Sequence, residues 1–171
     1  MIKVSMRHEI ECSTDDFWKS YFDATLAKRL FLEGLGFRDW AVVKNVETDT
    51  RIERTVSVEP VLAMPGPLVK LLGSAFRYSE EGVFDKASQV FTYKLVPSAM
   101  SEKIKVAGTM KAEAIGADKT LRLVDITVEA NVMMVGKLIE ETFAKQLEDG
   151  WTKGKNVQNE WLRAEKANAA K

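Results

Sequence analysis

Residues 135–162 read VGKLIEETFAKQLEDGWTKGKNVQNEWL. Stepping from Ile139 by three or four residues meets Phe143, Leu147, Gly150, Gly154, Val157 and Trp161, one stripe of an α-helix, while Lys137, Glu141, Glu148, Lys155 and Asn159 fall on the opposite face. The spacing predicts a helix from residue 135 to about 166, roughly 48 Å long at 1.5 Å per residue, followed by a tail that is disordered from about residue 167. A stripe of that length needs a broad apolar surface to cover. Gly150 and Gly154 lie inside it, and each costs about 1 kcal/mol of helix propensity relative to alanine. Either the helix backbone comes close to its partner there, or the missing side chains leave volume for a ligand.

The partner is legible upstream. Residues 2–12 place Ile2, Val4, Met6, His8, Ile10 and Cys12 on one parity and polar residues on the other, the pattern of a half-buried strand. Ser13-Thr14-Asp15-Asp16 offers capping side chains to a helix beginning near Phe17, whose aromatic face carries Phe17, Trp18, Tyr21 and Phe22. A second helical stretch, 24 to about 33, ends at Gly34 and Gly36. Six further strands follow at about 40–48, 52–60, 75–84, 88–96, 103–114 and 121–132, separated by turn residues such as Thr48-Asp49-Thr50 and Gly116-Ala117-Asp118. Between the third and fourth strands, Pro67 could open a short helix that Gly73 closes. Seven strands and one long amphipathic helix call for an α+β fold, an antiparallel sheet curved around the C-terminal helix.

Composition bounds the function. A chain of 171 residues, 46% hydrophobic, is sized for one domain spanning 1–171. Its 25 basic and 25 acidic residues cancel, which argues against a nucleic-acid partner. The N-terminus lacks the apolar block of a secretory signal, and no stretch approaches the roughly 20 apolar residues of a membrane span. Cys12 is the only cysteine and His8 the only histidine, so neither a disulfide nor a thiolate metal site can be assembled within the chain. A soluble protein of the reducing cytoplasm, without cofactor or metal, is the expectation.

The chain resembles the START-like superfamily, also called the helix-grip or SRPBCC superfamily, which includes plant pollen allergens, lipid-transfer domains and polyketide cyclases. The resemblance rests on IECSTDDFWKSYFD after the first strand, on MPGPLVKLLG followed by a strand ending in EEGVFD, and on the helix quoted above. It is similar most of all to bacterial families of the superfamily, with features of PRELI-type and VASt lipid-binding domains. The resemblance implies an internal cavity between sheet and C-terminal helix. Because the superfamily hosts both binders and enzymes, it does not decide between them.

Candidate ligand-binding residues follow from parity and from that implied cavity. Trp40, Phe76, Tyr78, Phe84, Phe91 and Tyr93 share inward positions with Met110 on the sheet. Ile139, Phe143, Leu147, Gly150 and Gly154 face them from the helix. A solid core would use the same side chains. Lys44, Arg54 and Glu80 fall on apolar parities and would orient a ligand head group if they point inward, or snorkel to the rim if they do not. His8 is the one candidate acid or base, against the plainer reading of a hydrogen-bonded core histidine. The connection 63–73, with Met64, Pro67, Leu68, Leu71 and Leu72, could serve as a lid or touch a membrane transiently. Two functions are carried forward: binding, transport or sensing of a hydrophobic small molecule such as a lipid, sterol or isoprenoid, and a polyketide cyclase or dehydratase using His8 with Tyr78 or Glu80.

Overall fold

Alternating strands joined by tight turns generate a meander, and the computed structural model describes it over residues 1–171. Strands β1 (Ile2–Ile10), β2 (Asp39–Glu47), β3 (Arg51–Glu59), β4 (Tyr78–Asp85), β5 (Val90–Pro97), β6 (Ile104–Gly116) and β7 (Lys119–Ala130) form one antiparallel sheet. Its order is β1-β7-β6-β5-β4-β3-β2, so each strand from β2 to β7 pairs with its neighbour in the chain and β1 closes on β7. Helices α1 (Thr14–Phe22) and α2 (Ala24–Arg29) follow β1, α3 (Gly66–Leu72) lies between β3 and β4, and α4 (Gly136–Ala169) ends the chain. This is the expected α+β helix-grip arrangement.

Local chemistry sets the element ends. Ser13 caps α1 by accepting from the Asp16 amide at 3.2 Å, and Asp23 caps α2 by accepting from Leu26 at 2.9 Å. α1 therefore starts three residues before the expected Phe17. The second helical stretch changes character midway: beyond Arg29 it becomes a π-helical turn, Leu30–Gly34. β4 begins at Tyr78 rather than near residue 75, and α4 continues to Ala169, past the expected end near 166.

Lys44, which shares the parity of Val42 and Val46, is turned outward for a clear reason. The β2–β3 register slips between Val42 and Lys44, leaving Val43 as an extra residue. Such a bulge exchanges the faces of everything beyond it. Asn45 therefore opposes the buried Arg54, and Lys44 points to solvent, where it pairs with Glu53 at 3.3 Å.

α4 covers the sheet in two different ways. Near its start the contact is tight: a Cβ on Gly136 would lie 2.4 Å from the Ala130 carbonyl oxygen, and Ile139, Phe143 and Ala144 are buried in the main core. Toward its end the helix is tied to the sheet edge. Asn159, expected on the solvent face, is buried instead, donating to the Glu9 carbonyl at 2.8 Å and accepting from the Glu11 amide at 2.9 Å. Its amide group thus satisfies one unpaired backbone group of edge strand β1 and one just past its end, as another strand would. Asn159→Ala removes both bonds at once and is expected to lower unfolding free energy by about 1–3 kcal/mol in a urea titration. An unchanged midpoint would show that water replaces the side chain without cost.

Candidate functional site

Between the anchored ends of α4 the helix stands away from the sheet. The space is a half-open cavity of about 240 Å³, and nineteen of its thirty lining residues are hydrophobic. Its walls come from α1 (Phe17, Tyr21), the π-helical turn (Leu30, Phe31), the inner face of β3–β7, and α4 from Phe143 to Glu165. A Cβ on Gly150 would meet nothing within 4 Å, and one on Gly154 only a Leu35 methyl at 3.9 Å. Both glycines thus border open space; the tight helix–sheet approach belongs to Gly136.

Of the residues singled out in the sequence, Phe76, Tyr78, Tyr93, Phe143, Leu147, Gly150 and Gly154 line this space, as do the charged Arg54 and Glu80. The others lie elsewhere. Trp40 stacks on Phe31 in a separate small cluster with Ala27, Val56 and Val58. Phe84 and Phe91 are buried under the aromatic face of α1, Phe84 lying 4.4 Å from Trp18 between ring centres. Met110 and Ile139 are fully buried in the main core. The expected lid is also seated: Leu68 and Leu72 are buried, Met64 and Leu71 pack against the same core, and neither these nor Pro67 reaches the cavity. The cavity instead approaches the surface beside α2 and the end of α4, where Leu26 and Glu165 are exposed. Arg29 lies over the Trp161 ring at 4.0 Å on that side.

The polar part of the wall has two centres. Around β3 and β4, Arg54 donates to the Tyr21 carbonyl at 2.8 Å and lies 3.6 Å from a Glu80 carboxylate oxygen. Its guanidinium covers the Tyr21 ring at 4.7 Å. Burial raises the Glu80 pKa, and the nearby Arg54 charge opposes that shift without cancelling it.

The second centre is Arg122 on β7, buried with 5% of its surface exposed. Only Nη2 is bonded, to His8 Nδ1 at 3.0 Å and to the Trp151 carbonyl at 3.1 Å. Nε is buried with no partner, and no carboxylate pairs with the side chain. Burial lowers the Arg122 pKa to about 10, which leaves it charged at neutrality. The Trp151 indole stacks against it at 4.7 Å. The Tyr93 hydroxyl is likewise buried and unbonded, resting 2.8 Å from where a Gly108 Cβ would be, so that glycine makes room for the phenol. Burial also raises the Tyr93 pKa and keeps the group a neutral donor.

Arg122 and Trp151 escaped the sequence reading, although Arg122 shares its parity with Val124, Ile126 and Val128. The competing parity of Leu121 and Leu123 obscured that signal.

Arginine has no acceptor, so Nδ1 of His8 must carry the lone pair and Nε2 the proton, facing Thr152 at 3.5 Å. His8 does not line the cavity and is not brought together with Tyr78 or Glu80 there.

A family model described as "Protein of unknown function (DUF2505)" matches residues 5–162, from β1 to the last turns of α4. The chain belongs to the DUF2505 family. A sequence search of curated proteins finds no match. Among solved structures, this DUF2505 chain is similar to the Zhui aromatase/cyclase of Streptomyces sp. R1128, at TM-score 0.67 and 12% identity over 95% of this chain and 93% of that one. A START superfamily protein of Mycobacterium smegmatis gives 0.63 at 14% identity, covering 94% and 98%. Norcoclaurine synthase of Thalictrum flavum gives 0.64 at 15%, covering 94% and 96%. At these identities the likeness establishes a START-like fold.

The His8 arrangement has a pH consequence. Burial first, then the charges of Arg122 and Lys155, lower its pKa from 6.5 to about 4. The unfolded chain takes up a proton near 6.5 and the folded one only near 4, so the stabilisation is complete above pH 6.5 and is lost as pH falls toward 4. Its full size is about 3 kcal/mol. His8→Gln keeps an acceptor for Arg122 and cannot titrate. Urea unfolding at pH 6.5 and at pH 4.5 should therefore show the wild type losing more stability than the variant; equal losses would mean that His8 is not held neutral.

Proposed function

We propose that the protein binds a hydrophobic small molecule in the cavity between the sheet and α4. The observation that carries this reading is the cavity itself: a mostly apolar, half-open space of about 240 Å³, bordered by two helix glycines that leave it unfilled. A cavity of roughly 150 Å³ accommodates benzene. The space here suits a bicyclic ring system or a short alkyl chain, whereas an isoprenoid or sterol of larger volume would require the walls to move. Entry beside α2 and the end of α4, rather than under α3, fits the exposure of Leu26 and Glu165. Binding is favoured over proton-transfer chemistry because His8 is engaged by Arg122 and Thr152 instead of facing the ligand space.

Leucine at position 154 projects into the cavity and restores helix propensity. Gly154→Leu should weaken binding of the neutral fluorescent ligand naphthalene-2-methanol by about fivefold or more while leaving the melting temperature unchanged or raised. A variant that binds like the wild type, or one that loses stability by overpacking, would contradict the cavity reading at this position.

A further inference from the structure

The cavity wall carries three buried ionisable groups that can be charged: Arg54, Glu80 and Arg122. Arg54 and Glu80 are already neighbours at 3.6 Å and offset one another. Arg122 has only a neutral imidazole and a backbone carbonyl for company, so the interior retains one uncompensated positive charge. An isolated charge in an apolar setting is unfavourable unless something pairs with it. Arg122 and Tyr93 both belong to the cavity wall, and each holds a buried donor without a partner, Nε in the one and the hydroxyl in the other. The Trp151 ring beside Arg122 adds a flat apolar surface at the same place.

We propose that the ligand is a small amphipathic monocarboxylic acid whose carboxylate pairs with Arg122 and whose apolar body fills the cavity. This rests on the cavity-binding reading above and adds the ligand's chemical class. A monoanion matches the single unpaired charge; a phosphomonoester, close to doubly charged at neutrality, would leave a surplus negative charge in the apolar interior. The carboxylate accepts from the Arg122 guanidinium at Nη1, which has no partner and, unlike Nε and the Tyr93 hydroxyl, is not fully buried. The charge-assisted bond supplies orientation, and the apolar walls supply most of the contact.

The test compares 2-naphthoate with naphthalene-2-methanol, which share a ring system and differ in charge. The wild type should bind 2-naphthoate about tenfold or more tightly at neutral pH, read by ligand fluorescence. Arg122→Gln should bring the two affinities to within about threefold, and Arg122→Lys should restore part of the preference. In nitrogen-labelled wild type, 2-naphthoate should shift the Arg122 Nε–H resonance and the alcohol should not, a readout that stands even if Arg122→Gln fails to fold. Equal affinity for both ligands with an unmoved Nε–H signal would overturn the acid proposal and leave the cavity reading intact. Failure of both ligands to bind the wild type would overturn both.

Discussion

One continuous helix has to cover the apolar face of a seven-stranded sheet, and most other features answer to that constraint. α4 spans 34 residues, about 51 Å at the helical rise. It is pressed onto the core at Gly136, Ile139 and Phe143 and tied to the edge strand at Asn159. Arg163 adds paired bonds to the Glu11 carboxylate, and Lys166 a bond to the Glu11 carbonyl. Because both ends are fixed to the same sheet, the middle cannot settle further inward without bending the hydrogen-bonded backbone. Glycine at 150 and 154 removes the side chains that would otherwise fill the gap.

The aromatic face of α1 closes part of the same space. Phe17, Trp18, Tyr21 and Phe22 interlock with Phe84 and Phe91, and the Tyr21 carbonyl and ring hold the Arg54 guanidinium in place. Gly82 permits this packing, since a Cβ there would lie 2.1 Å from the Phe91 Cζ. One aromatic cluster therefore both fills the core beneath α1 and fixes the Arg54–Glu80 pair at the cavity wall. Burial in that surrounding raises the Glu80 pKa, and burial beside His8 and Trp151 lowers that of the Arg122 guanidinium.

The cavity wall beside α2 is shaped by backbone irregularity rather than by the most apolar connection. α3 carries many apolar residues because it is part of the core cover, with Leu68 fully buried. The π-helical turn at Leu30–Gly34 instead brings Leu30 and Phe31 to the cavity and sets Gly34 close against Val157 of α4. Such turns insert an extra residue per turn and displace neighbouring side chains from the regular helical positions. The wall on that side consequently includes side chains that a regular helical wheel would have assigned elsewhere.

The α+β class, the strand order in the chain and the long C-terminal helix were determined by the sequence, because period-two and period-3.6 patterns are local properties that survive any tertiary arrangement. The inward direction of Tyr93 and Phe143 was legible for the same reason, while for Arg54 and Glu80 the same parity left an inward position and the rim both open. Tertiary structure alone decided which inward residues meet empty space and which are packed solid: Phe84 and Phe91 have the right parity, but α1 lies over them. It also decided the bulge at Val43 that turned Lys44 outward, the burial of Asn159 against an unpaired strand edge, and the isolation of Arg122 from every carboxylate. Each of these depends on how separate elements meet, and periodicity carries no information about distance between elements.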